Sequence, residues 1–110
     1  MSINQVCLIG RAGREPEIKY LEGNKQVLNI SMAVTVGKDL TDWHEVEAWD
    51  KTADIINRFV KKGQLFSVSG RLKVDTWQDR DNGEERTKVV IVATGVTLIG
   101  GRDNNNEDDF

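Results

Sequence analysis

Between Leu28 and Val36 the chain alternates without a break: Leu28, Ile30, Met32, Val34 and Val36 against Asn29, Ser31, Ala33 and Thr35. A period of two puts every residue of the first set on one face of a strand. A strand with one buried face needs partners and a core beneath it, so the neighbouring runs have to supply a sheet. Val6 to Gly10 is a short apolar run, expected to pack Cys7 as a small hydrophobe. Gly13 and Pro16 break the chain after it. Ile18 to Leu21 is a candidate short strand, and Glu22-Gly23-Asn24-Lys25 carries hairpin-turn chemistry. Gly10, Gly13 and Gly23 read as turn glycines.

Two further strand-like runs hold all three tryptophans. In Trp43 to Trp49 one parity is Trp43, Glu45, Glu47 and Trp49; the other is His44, Val46 and Ala48. In Phe66 to Trp77 the polar parity is Ser67, Ser69, Arg71, Lys73, Asp75 and Trp77, against Phe66, Val68, Gly70, Leu72 and Val74. Every tryptophan therefore shares parity with polar residues, where a core indole would share it with the aliphatics. Trp43 and Trp49 lie roughly 20 Å apart along an extended strand. Flat aromatic faces at separate stations on a wet sheet surface suit the stacking of unpaired bases. The plainer use of such rings is to cover a sheet face or a subunit interface.

Between the two runs, Lys51 to Lys62 has Ala53, Ile56 and Val60 at helical spacing, acid early, bases late and Gly63 after it. Leu65 to Trp77 and Arg86 to Ala93 make a long final hairpin, extended by Val96 to Ile99, with Asn82-Gly83 at its tip. The order is three strands, one helix, then two strands. That is an all-β chain with one helix, matching a five-stranded OB barrel with the helix between strands 3 and 4. Residues 1–101 form the one domain, and 102–110 are too poor in apolar residues to fold with it.

Charge alone argues weakly for nucleic acid. The net charge is -3, but the four acids of residues 103–110 account for it: without them, 14 acids face 15 Lys and Arg. Binding by basic surface must then come from local clusters. Candidates are Arg11 in the first turn, and Arg71, Lys73, Arg86 and Lys88 on the final hairpin, where Asp75, Asp79, Asp81, Glu84 and Glu85 dilute them. One cysteine and one histidine make neither a disulfide, a metal set nor a catalytic pair. His44 lies on the inner parity and is expected to pack. No phosphate-cradle motif is present, so no cofactor, no metal and no enzyme activity are expected. No apolar run approaches membrane length and no signal-like start is visible, so the expected location is the cytoplasm, at the nucleoid.

The residues also carry a resemblance. Asn4-Gln5-Val6-Cys7-Leu8-Ile9-Gly10-Arg11, Gly13-x-x-Pro16-Glu17-x-Lys19-Tyr20, Trp43-His44-x-Val46, Lys51-x-Ala53, Val60-x-Lys62-Gly63, and Gly70-Arg71-Leu72 running to Trp77 span nearly all of residues 4–99. In these the chain resembles the bacterial-type single-stranded DNA-binding proteins. The resemblance implies a homotetramer of OB folds that wraps single-stranded DNA in replication, recombination and repair. It implies stacking on Trp43 and Trp77, an aromatic contact at Trp49, and phosphate contacts from Lys51, Lys62 and Lys73. It further implies that the acidic tip Glu107-Asp108-Asp109-Phe110 docks on replication and repair proteins.

Some residues depart from that pattern. Lys38 stands where some members carry another stacking aromatic. Glu45 and Glu47 put acids between the tryptophans, and Asp75 and Thr76 replace bases before Trp77. The linker before the acidic tip is nearly absent. These differences imply fewer contacts per subunit and weaker or shorter-footprint binding. They also keep open a second class, an OB-fold interaction module of the replication machinery that binds mainly proteins.

Overall fold

The computed structural model describes residues 1–100. It contains β1 (Val6–Ala12), β2 (Glu17–Leu21), β3 (Lys25–Gly37), β4 (Leu40–Trp49), α1 (Asp50–Phe59), β5 (Leu65–Gln78) and β6 (Glu85–Leu98), with one 3-10 turn at Glu22–Asn24. The strands form one sheet in the order β1-β5-β6-β4-β3-β2, and β1 also pairs with β3 at Arg11↔Ala33 and Ala12↔Met32. That last pairing returns the sheet to its first strand, so β1, β5, β6, β4 and β3 follow one another in a closed cycle. β2 is added outside β3. The expected count of five strands, with the helix between the third and fourth, is corrected: six strands are present among the described residues, and α1 lies between β4 and β5. The added strand is Glu17–Leu21, held by β3 alone from Glu17↔Asn29 to Leu21↔Lys25.

The alternation in β3 produces the core. Leu28, Ile30 and Met32 are fully buried, opposite Ala48, Val46 and His44 of β4. Ala12, Phe66, Val68, Ile91 and Ala93 join them, with Ala53, Ile56 and Val60 brought in by α1. Val36 does not continue the buried face as its parity suggested. The register shifts between Thr35 and Gly37, which turns Val36 outward.

The helix is shorter than its apolar spacing predicts. Val60 is already extended (φ -97°, ψ 121°) and is buried in the core. Gly63 (φ 86°) donates its N–H to the Ala12 carbonyl, and Ala12 donates to Gln64. Lys61 and Lys62 therefore sit in a turn and not on a helix. At the other end Asp50 adopts φ 48°, a left-handed conformation that Asp tolerates better than most residues. Its carboxylate accepts the Gln26 N–H at 3.1 Å, which fixes the corner immediately after Trp49.

Beyond Gly70, β5 leaves its β1 partner behind, and β6 pairs with β4 only over Val90 to Ala93. Residues 74–78 of β5 and 85–89 of β6 then pair only with each other, as a two-stranded arm whose base is at Leu72. Leu72 and Val74 keep their apolar parity but are exposed there, together with Val89 opposite Val74. At the base of the arm Asn4 brackets Leu72, accepting from its N–H and donating to its carbonyl, each at 2.8 Å. A Cβ at Gly70 would run into the Val92 carbonyl oxygen, so the glycine lets β5 and β6 close up at the bulge. Cys7 is exposed: Val6 and Leu8 face the core, which leaves Cys7 and Ile9 outside. His44 is half-buried.

Candidate nucleic-acid interface

Because β4 alternates, its outward face carries Trp43, Glu45, Glu47 and Trp49. Cross-strand partners share a face, so the rows continue sideways as Ser31–Glu45–Val90–Lys73 and Asn29–Glu47–Val92–Arg71. Asp75 and Trp77 follow on the same parity of β5. The three indoles are 64%, 39% and 48% exposed in chain order, too open for core residues. The outward parity read from the sequence thus holds for all three.

Each tryptophan has a distinct setting. The Trp43 ring lies over Gly13: a Cβ there would come within 2.5 Å of the ring edge and 2.6 Å of the Ser31 hydroxyl. Gly13 is thus a seat for an indole and not only a turn residue. Trp43 borders a groove of about 330 Å³ with Arg11, Ala33, Thr35 and Thr41. Arg11 also lines a second groove of about 430 Å³ with Lys61 and Lys62, and its guanidinium donates to the Gly63 carbonyl at 3.0 Å. Arg11 and Lys62, apart in sequence, therefore line one groove, and Arg11 also borders the Trp43 groove. Lys61 joins them; its position near the helix end gave no sign of this.

Trp49 donates its indole N–H to Glu47 at 2.7 Å. The same carboxylate takes the Lys73 ammonium at 3.1 Å on both oxygens, and Asp75 lies 3.6 Å from that ammonium. The hydrogen bond that Lys73 donates to Glu47 is the main cause that raises the Lys73 pKa, opposed by desolvation and reinforced by the charges of Glu47 and Asp75. By register the Glu47–Lys73 bridge crosses β6 over Val90 and Val92. Both valines are buried although they face away from the core. Lys51 is the second residue of α1, two residues after Trp49, and is exposed.

Trp77 stands on the arm opposite Arg86, and Lys88 stands opposite Asp75. Arg86 is held by Asp79 at 3.2 Å and Glu84 at 3.8 Å. Arg14, on the first turn, pairs with Glu45 at 3.2 Å. Among the described residues, Arg11, Lys51, Lys62, Arg71 and Lys88 make no ion pair within 4 Å, whereas Lys73 and Arg86 do. Glu107, Asp108, Asp109 and Phe110 lie outside the described residues. Among the described residues no group of three or more His, Cys, Asp and Glu could hold a metal, and no helix is long and apolar enough to cross a membrane.

Three exposed indoles spaced along one sheet parity, with cations on the same domain that make no ion pair among the described residues, make a surface suited to an extended chain of unstacked bases. Comparison with known proteins gives the family. The chain belongs to the single-strand binding protein family, whose model matches residues 3–99. It is 45% identical over 111 residues to single-stranded DNA-binding protein 1 of Synechocystis sp., covering 97% of this chain and 92% of the relative. It is 40% identical over 108 residues to single-stranded DNA-binding protein 1 of Nostoc sp., covering 96% and 91%. Against the single-stranded DNA-binding protein of Neisseria meningitidis serogroup A the identity is 38% over 114 residues, 96% of this chain and 65% of the relative.

Proposed function

We propose that this protein binds single-stranded DNA without reading its sequence and protects it during replication, recombination and repair. The observation that carries this reading is the outward placement of Trp43, Trp49 and Trp77 on one parity of an otherwise polar face; the names of the relatives support it. The closed cycle of β1, β5, β6, β4 and β3 serves as the OB barrel that displays the face. Bases stack on the three indoles, and phosphates meet Arg11, Lys51, Lys62, Arg71 and Lys88. Lys73 and Arg86 meet carboxylates of their own chain first. Chemistry of the enzyme kind has no part in this reading.

Oligo-dT titration tests it. Stacking should quench tryptophan emission, and log K should fall linearly with log salt as phosphates release counterions. Arg71→Ala should flatten that line by about 0.7, the contribution of one phosphate on a single strand. Unchanged emission at saturating oligonucleotide would defeat stacking. Preference for duplex would favour a module that binds mainly proteins.

Four chains form the functional unit in this reading, supported by the apolar arm face of Leu72, Val74 and Val89, which a monomer leaves in water. The segment Glu107-Asp108-Asp109-Phe110 docks on replication and repair proteins, its ring in a pocket and its charges on a basic rim. Deleting Phe110 should abolish their capture and leave oligo-dT affinity nearly unchanged. Retention of the same partners would make the segment a solubilising one.

A further inference from the structure

Glu47 is the acid on the tryptophan face that touches both an indole and a cation. Its carboxylate accepts the Trp49 N–H at 2.7 Å, and the Lys73 ammonium lies 3.1 Å from each of its oxygens. Two oxygens of one anion around one ammonium is also how a phosphodiester would receive Lys73. The Glu47 side chain is only 12% exposed and that of Lys73 32%, so salt screens this bridge less than an open surface pair. Turning either side chain outward would uncover Val90 and Val92, which lie beneath the bridge and cost free energy in water. Arg71, two residues before Lys73 on the same parity, has no carboxylate within 4 Å among the described residues. One strand thus presents an available cation and an occupied one.

Resting on the DNA reading of this face, we infer that Glu47 is an internal phosphate stand-in. It holds Lys73 off the DNA backbone and sets the Trp49 ring, so that Lys73 contributes no phosphate contact in the wild-type complex. Trp49 keeps its orientation through a hydrogen bond that base stacking does not disturb, because the N–H lies in the ring plane and the bases meet the ring face. The acid between the tryptophans therefore has a positioning role and an attenuating one. It lowers the number of phosphates each subunit neutralises without removing a stacking station.

Glu47→Gln separates the two roles: its amide oxygen still accepts the Trp49 N–H, but the nearer and bidentate charge on Lys73 is gone, leaving only the longer 3.6 Å contact with the more exposed Asp75. Oligo-dT binding is measured against salt for wild type, Lys73→Ala, Glu47→Gln and the double variant, with thermal melts alongside. Lys73→Ala alone should keep the wild-type slope. Glu47→Gln should steepen the slope by about 0.7 and tighten low-salt binding roughly two- to fivefold, the scale of one exposed ion pair. The double variant should return to the wild-type slope. A purely structural role for the bridge would move the melting temperature and not the slope. The inference is overturned if Lys73→Ala flattens the wild-type line, or if Glu47→Gln leaves the slope unchanged. Lys73→Ala decides this even where Glu47→Gln folds poorly. Wild-type binding keeps the two readings apart: if the wild type binds oligo-dT and these variants fail the pattern, only the role of Glu47 falls. If the wild type binds none, the DNA reading of the face falls with it.

Discussion

Trp43→Ala should weaken oligo-dT binding by about 1–3 kcal/mol, the worth of one base stacked on an aromatic ring. The loss should exceed that for Trp49→Ala, because the Trp43 ring is the most open of the three and Trp49 is the least. It should also be nearly independent of salt, since stacking releases no counterions. The fold should survive, because the ring rests on Gly13 and Ser31 outside the core. The seat gives a second, independent handle. Gly13→Val would drive a side chain into the space of the Trp43 ring and the Ser31 hydroxyl, so the indole must leave its position. Binding should fall in the same direction with Trp43 itself intact. If Trp43→Ala binds as tightly as wild type across oligonucleotide lengths, Trp43 is a cover for the sheet and the stacking assignment fails there.

What the sequence reveals about this site follows from what alternation can encode. Parity placed Trp43, Trp49 and Trp77 outward because a strand has only two faces, and no register shift intervenes within β4 or between Gly70 and Trp77. Val36 fails for the complementary reason: a register shift lies just beside it, and nothing in the alternation announces it. Leu72 and Val74 have core-type parity, yet burial also needs something opposite, and their strand has by then outrun β1. Val90 and Val92 fail in the other direction. They lie on the outward face and are buried all the same, flanked by Glu45 and Glu47 of β4 and by Lys73 and Arg71 of β5, an arrangement that exists only once β4, β6 and β5 are side by side. The same holds for the cations. Lys73 and Arg71 look equivalent in the sequence, and the diagonal reach of Glu47 across β6, with Asp75 beside Lys73 on β5, distinguishes them. The helix is shorter than its spacing implies because Val60 satisfies the helical period while being buried from an extended turn.

Val74→Asp should dissociate the four-chain assembly proposed above while leaving the single chain folded. Val74 is 61% exposed and pairs across the arm with Val89, also exposed, so the substitution removes no core packing from the chain itself. Thermal unfolding of the isolated subunit should therefore shift little, as for a surface change. At an interface the same carboxylate would be desolvated against apolar neighbours, at a cost of several kcal/mol. The mass in solution should drop from four copies of 12.4 kDa, about 50 kDa, to a smaller species. DNA binding should then divide by oligonucleotide length. A short oligonucleotide that reaches one subunit gains nothing from neighbours and should bind as before. A long one gains avidity by engaging several subunits at high effective concentration, on the order of 10²-fold or more. That gain should vanish in Val74→Asp, and the affinities for long and short oligonucleotides should converge. A variant that retains the four-chain mass would move the interface away from the arm. A variant that loses the mass yet keeps the long-oligonucleotide advantage would show that one barrel, with its arm and its three tryptophans, holds the strand without help from its copies.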